Sequence, residues 1–400
     1  MFHFDTYLFK STFPYFLLIL LAIEFLDEFA YGARDAAWPL IRQDLDLSYV
    51  QIGVMLSLPG LVSSVIEPVL GILADAWRRR ALILGGGLLF ALSLLLTAFS
   101  HSYFPLLVSF MVFYPASGAF VSLSQAALMD AEPERREANM ARWTFAGSLG
   151  VVGGPLSLSL ALWLGGGWRD MFLVFALLAL FLLGLTWRLP LEKRAPGGYH
   201  DYTGIEGILP AARQALAALH RGEVVRWLTL LQFSDLMLDI LLGFLALYFV
   251  DVVHVTPMQA SLAVAVWSGV GLVGDFLIIP LLKRVPGLVY LRTSVLLKLA
   301  LYPAFLLVPG FPGKLAILGI LGLLNAGWYA ILQAKLYEAL PGQSGTAIAL
   351  GSVAGVFGSL MPLGLGWVAQ RYNLQWSMWL LLLGPLALWI GLPWRSRKLA

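Results

Sequence analysis

The chain has 400 residues, 60% of them hydrophobic and only 12% charged, with a mean hydropathy of +0.82. Soluble domains run at about 45–50% apolar and about 25% charged, so a water-exposed globule is excluded. With no cysteine there is no disulfide framework, thiolate metal site or cysteine nucleophile, and the net charge of +3, carried in loops between apolar runs, gives no sign of a nucleic-acid partner.

Breaking the sequence at Pro, Gly and charge clusters gives twelve apolar segments. They lie at roughly 13–40, 50–75, 81–99, 104–130, 137–165, 169–189, 224–250, 258–282, 288–309, 314–339, 344–370 and 374–393. Their length and uniform apolarity predict an all-α polytopic membrane protein. Acidic residues interrupt the first segment and no small-residue cleavage site follows it, so it is expected to be retained as a helix rather than removed as a signal peptide. The longest stretch between segments is 190–223, where Ile205, Ile208, Leu209, Ala212, Leu216 and Leu219 recur at helical spacing. This predicts an amphipathic surface helix in a linker between two halves, 1–189 and 224–400. Most of the 26 Lys and Arg fall on one side, including Arg78 to Arg80, Arg135, Arg136, Lys283, Arg284 and Arg395, whereas Arg34, Arg42, Arg169, Lys314 and Arg371 fall on the other. The positive-inside bias therefore puts both termini and the linker in the cytoplasm.

Sliding the sequence by 208 residues superposes the two halves almost without gaps. Asp27 falls on Asp235, Gln51 on Gln259, Gln125 on Gln333, Gly147 on Gly355, Gly150 on Gly358 and Trp168 on Trp376. Glu67 meets Asp275 and Asp130 meets Glu338, so rare acids match in kind as well. Such a register predicts two pseudo-symmetric six-helix bundles.

Acids inside apolar segments carry the most chemical information. Glu24, Asp27, Glu28, Tyr31 and Asp35 share one helical face of the first segment. Glu67 lies in the second, Asp235 and Asp239 in the seventh, Asp275 in the eighth, and Lys298 in the ninth. A charge at bilayer centre costs on the order of 3 kcal/mol even on the lenient insertion scale, so these groups should line water, hold protons or bind a cation. Like charges in a poorly solvated site disfavour joint ionisation, which makes proton exchange at Asp27 and Asp235 one reading. A hard cation held by carboxylates from both halves is a second. A third is structural, with Glu67, Asp275 and Lys298 making interhelical pairs or accepting backbone N–H bonds. Gln125, Asn325 and Trp328 are further candidates for contact with a substrate. All five histidines lie at termini or in loops, and no nucleophile–base pair or metal-ligand set stands at a recognisable spacing. Neither a metal centre, a cofactor nor an enzymatic activity is therefore expected.

Two motifs carry a family resemblance. Gly71-Ile-Leu-Ala-Asp75-Ala-Trp-Arg78-Arg79-Arg80 resembles the loop 2–3 signature of the major facilitator superfamily, with Arg78 in place of a glycine. The run from Gly150 through Gly154 to Pro155 resembles the Gly-x-x-x-Gly-Pro core seen in its antiporters, without the later glycines. Glu24-Phe-Leu-Asp27, Trp38-Pro39-Leu40 and Ser63-Ser-Val-Ile-Glu67-Pro68 are similar to the fosmidomycin-resistance-type branch of drug/proton antiporters. The resemblance implies a secondary transporter of a prokaryotic inner membrane, monomeric, working by alternating access and exporting a small amphipathic or cationic molecule in exchange for protons. It casts Asp27, Glu28 and Asp235, then Glu24, Asp239 and Asn325, as coupling or substrate residues. Gly71, Asp75 and Arg79 would form a cytoplasmic gate, and Gly150, Gly154 and Pro155 a hinge. A uniporter or importer of a divalent metal ion or nutrient, and a non-transporting membrane receptor, remain the alternatives.

Overall fold

The structure is a computed structural model that describes residues 3–76, 79–132, 135–191, 219–340, 350–351 and 354–393, with backbone alone at 3–13, 68, 71–76 and 136–137. The expected linker helix lies outside the described residues. Among the described residues the principal helical segments are, in order, α1 (His3–Leu45), α2 (Tyr49–Ala76), α3 (Arg79–Ala98), α4 (Tyr103–Ala131), α5 (Arg136–Trp163), α6 (Trp168–Thr186), α7 (Gly222–Asp251), α8 (Pro257–Leu282), α9 (Gly287–Leu307), α10 (Phe311–Ala339), α11 (Met361–Arg371) and α12 (Leu374–Gly391), with residues 350–351 and 354–358 also helical. No strand occurs among the described residues. Ten of these segments hold a stretch long and apolar enough to cross a bilayer. The central part of α1 is instead loaded with Glu24, Asp27, Glu28, Arg34 and Asp35.

The 208-residue register reappears in hydrogen bonds. Ahead of α2, Ser48 N–H donates to Gln51 Oε1 at 2.8 Å and Gln51 N–H to Ser48 Oγ at 3.2 Å. Ahead of α8, Thr256 N–H donates to Gln259 Oε1 at 3.1 Å and Gln259 N–H to Thr256 Oγ1 at 3.3 Å. Each reciprocal pair satisfies two backbone donors that a helix start leaves open.

The chain separates into two compact units, residues 1–47 with 58–201 and residues 48–57 with 202–400. In the first unit α5 packs on α1 through glycines. A Cβ at Gly150 would stand 2.5 Å from Phe25 O and 2.8 Å from Phe29 N, and one at Gly154 would overlap Phe29 O and Ala33 N. From the other side, a Cβ at Gly32 would stand 2.5 Å from Val151 O. Where lipid tails are as apolar as side chains, such backbone-to-backbone approach is the main source of helix association. The core of this unit also holds an ion pair. Arg34 and Asp35 are 3% and 1% exposed, joined at 3.0 Å, with Arg34 Nη1 donating to Tyr114 Oη at 2.7 Å and its guanidinium 4.0 Å from the Tyr31 ring centroid. Arg34, which lies within the first apolar segment predicted from sequence, is thus internal to the fold. Its interior position follows from α1 running on as helix to Leu45, so that the Asp35 carboxylate and the tyrosines neutralise it inside the fold.

In the second unit, the first turns of α2 join α7 and α11. Tyr49 Oη donates to Asp251 Oδ2 at 2.7 Å, Tyr49 N–H to Gln370 Oε1 at 3.1 Å, and Leu363 N–H to Ser57 Oγ at 3.0 Å. Lys314, at the start of the tenth predicted segment, is 6% exposed, and its ammonium donates to Phe305 O, Leu306 O and Tyr248 Oη at 2.7, 3.0 and 2.8 Å. It thereby caps the C-terminal carbonyls of α9, where a cation is favoured by the helix dipole.

Two substitutions measure these contacts by thermal unfolding of the purified chain. Gly150→Leu is expected to destabilise by about 1–3 kcal/mol through overpacking, whereas Gly184→Leu, at a position with open space around its Cβ, leaves the midpoint unchanged. Asp35→Asn strands the Arg34 charge and is expected to cost about 3–5 kcal/mol, while Arg34→Met combined with Asp35→Leu recovers most of it. Equal loss in the single and double variants would show that the pair is not what holds α1 to α4.

Candidate functional site

The acids of α1 converge with α2, α4 and α5 inside the first unit. Asp27 Oδ2 accepts a hydrogen bond from Ser117 Oγ on α4 at 2.9 Å, while Asp27 Oδ1 is buried and has no partner. Among the described residues no basic nitrogen lies within ion-pair distance of Asp27. Glu24, 9% exposed, lies one turn away and shares the field of Asp27, with Trp143 of α5 in hydrogen-bonding contact. Gly147 makes room for this group: a Cβ there would stand 2.6 Å from Glu24 Oε1 and 3.3 Å from Glu28 Cγ. On the opposite flank Glu67 is bonded by Ser63 Oγ and sits against Gly118 of α4, where a Cβ would meet Glu67 Cγ at 2.9 Å. Three carboxylates, Asp27, Glu24 and Glu67, thus interact electrostatically within one unit.

Ser117 acquires its position from a helix irregularity. Residues Gly118–Ser122 of α4 form a π-turn just after Pro115, which has no N–H to give to the ladder. The second unit repeats this arrangement at the equivalent register. In α10 the helix breaks between Leu323 and Trp328, with Gly327 left-handed at φ +70°. Asn325, the counterpart of Ser117, reaches α7 through Nδ2 to Met237 O at 3.1 Å. Asp275 on α8, the counterpart of Glu67, accepts the backbone N–H of Gly327. In each half, therefore, an acid from the second or eighth helix lies against the irregular turn of the fourth or tenth. The polar residue ahead of that turn ties back to the first or seventh.

The halves diverge in their charges. Asp235 ends the first stretch of α7 and Asp239 follows inside a π-turn, Leu236–Ile240, with Asp239 exposed; these two interact with each other. Asn325 does not join them: its Oδ1 accepts from Lys298, which is wholly buried with its ammonium 3.9 Å from the Trp328 ring centroid. Trp328 is itself buried, its Nε1 donating to Ser294 Oγ at 2.9 Å, so it is a packing residue and not an open wall. Gln125 Nε2 donates to Met140 Sδ at 3.6 Å. Arg79 pairs with Asp130 at 2.7 Å, and Glu338, the counterpart of Asp130, pairs with Lys335 at 2.5 Å. Gly71 and Asp75 fall on the last turns of α2, where side chains lie outside the described residues. Gly150 and Gly154 lie at the α1 contact, and the Pro155 ring stands 3.2 Å from where a Cβ on Gly32 would lie. Ser117, a polar candidate of the fourth segment, and Ser63, part of the Ser63–Pro68 motif, are the residues that bond the carboxylates. Ser117 bonds across to α1, whereas Ser63 bonds one turn along its own helix.

Residues 17–362 match the sequence model of the Major Facilitator Superfamily. The chain is 26% identical over 244 residues to the inner membrane transport protein YdhP of Escherichia coli, a match covering 60% of this chain and 59% of that one. Solved structures with a similar fold include the nucleoside transporter NupG (TM-score 0.74, 15% identity, 94% and 97% of the two chains covered). A bacterial homologue of the human lysosomal transporter Spinster gives 0.72 at 17% identity, with 95% of each chain covered, and a D-xylose–proton symporter gives 0.69 at 17%, with 94% and 98% covered. With an all-helical fold among the described residues and a family match across most of its length, the chain belongs to the Major Facilitator Superfamily of membrane transporters.

Proposed function

We propose that this transporter is a proton-coupled exporter of a small amphipathic or cationic molecule, working by alternating access in an inner membrane with both termini cytoplasmic. In this reading it sits in the fosmidomycin-resistance-type branch, as the Glu24–Asp27 and Ser63–Pro68 motifs imply. The observation that carries the proposal is the asymmetry of Asp27: one oxygen held by Ser117, the other buried without a partner. A buried acceptor left open costs about 1–3 kcal/mol or more. It can be satisfied by a proton on the carboxyl group or by a donor or cation on the ligand, and the one oxygen serves one of these at a time. That exclusivity is the chemical requirement for exchanging a proton against a cationic substrate. Glu24 and Glu67 lie in the electrostatic field of the same carboxylate. Asp235 and Asp239 supply a second proton-holding pair in the other half.

The test is proton flux in liposomes carrying an imposed pH gradient and an internal pH-sensitive dye. A panel of organic cations is added to wild type, Asp27→Asn and Asp235→Asn. Wild type is expected to dissipate the gradient with at least one cation, and Asp27→Asn to lower that flux at least tenfold while Asp27→Glu retains part of it. Flux that is unchanged in Asp27→Asn, or cation movement in wild type without any proton flux, would overturn the proposal.

A further inference from the structure

Lys298 on α9 is a charged group that the export reading leaves without a task. It is 0% exposed, its ammonium donates to Asn325 Oδ1 and stands 3.9 Å from the Trp328 ring centroid. No carboxylate lies within ion-pair distance of it among the described residues. Burying a cation without a counter-charge is costly, and packing alone does not require one. At the equivalent register of the first unit Phe90 fills the place, its ring centroid 5.0 and 5.8 Å from those of Phe113 and Phe120.

The ammonium donates and cannot accept. The Asn325 amide must therefore turn its oxygen to Lys298, and its Nδ2 then meets Met237 O at 3.1 Å. The reverse orientation would set donor against donor and oxygen against oxygen. The backbone of Asn325 is fixed within the break of α10, where Asn325 N–H donates to Gly322 O and Trp328 N–H to Asn325 O, each at 3.1 Å. Met237 lies in the π-turn of α7, between Asp235 and Asp239. In an ordinary α-turn its carbonyl would accept the N–H of Leu241. Here that N–H goes to Leu236 O and Leu238 O, and Asn325 takes Met237 O. The turn sets where Asp239 stands relative to Asp235, and π-turns are rare enough to need such support. We infer that Lys298 is a positioning residue: by fixing the orientation of the Asn325 amide it holds the α7 π-turn, and with it the spacing of Asp235 and Asp239. The use of that spacing in proton exchange rests on the export reading above, whereas the clamp itself does not.

The chain has no cysteine, so Asp239→Cys can carry a single nitroxide label whose mobility, read by electron paramagnetic resonance in nanodiscs, reports on the turn. Lys298→Met and Asn325→Ser, each added to this labelled chain, are expected to shorten the label's rotational correlation time at least twofold. Methionine cannot hold the amide, and the single short arm of serine can meet Lys298 but not Met237 as well. Because Lys298→Met removes a buried charge without a carboxylate partner, its thermal unfolding midpoint should not fall. In chains that keep Asp239, Lys298→Met and Asn325→Ser should each lower cation-driven proton flux at least tenfold. Unchanged label mobility in Lys298→Met overturns the clamp. So does a change in Lys298→Met with none in Asn325→Ser, which would show the charge acting without the amide. Raised mobility with a lowered midpoint, the mark of general loosening, overturns it too. Raised mobility at an unchanged midpoint, in a protein whose wild type moves no protons, would sink the export reading and leave the clamp standing.

Discussion

Inside a bilayer a polar atom has only the protein to bond with, and α1 brings more such atoms into the fold than any other described helix. Much of the first unit is arranged around them. Gly147 and Gly150 strip side chains from α5 where Glu24 and Glu28 pass, Ser117 is turned toward Asp27 by the widened turn of α4, and Gly118 leaves space for Glu67. Arg34 and Asp35 neutralise each other a few residues on, with two tyrosines around the guanidinium. After this accommodation one described carboxylate oxygen, Asp27 Oδ1, stays buried and unbonded.

The repeat gives the same architecture twice with different chemistry. Glu24 becomes Gln232, which lies against Gly358 as Glu24 lies against Gly147. Phe90 becomes Lys298, a buried cation held by an amide and an indole, with no carboxylate within ion-pair distance among the described residues. Caps and three acid positions were retained across the halves while Glu24 and Phe90 were exchanged for Gln232 and Lys298, so a shared scaffold carries different polar groups at these positions.

Helices, their order and the repeat register are readable from sequence because hydropathy and glycine spacing are local signals. Asp27, Glu24 and Glu67 are readable as well, since an acid in an apolar run is costly wherever it points. What brings them together is not. The π-turn of α4 and the break in α10 depend on which carbonyls find partners across an interface, and neither Pro115 nor Gly327 announces that alone. For Arg34 and Lys314 sequence gives a charge near a segment end, and only the neighbouring carboxylate or helix end shows how it is held inside the fold. Trp328 misleads as a ligand-facing ring, because its bond to Ser294 joins helices far apart in sequence.

The boundary of the second unit has a consequence for how the chain can be divided. Tyr49, Gly53 and Ser57 find their partners at Asp251, Leu363 and Gln370, and a Cβ at Gly53 would stand 2.8 Å from Pro362 O. Cutting the polypeptide in the 190–223 stretch would thus not yield two self-sufficient fragments. The C-terminal fragment would lack ten residues that complete it, and the N-terminal fragment would carry a helix whose first turns have lost their hydrogen bonds. Co-expression, with the two pieces assembling on each other, is the form in which a severed chain retains its structure.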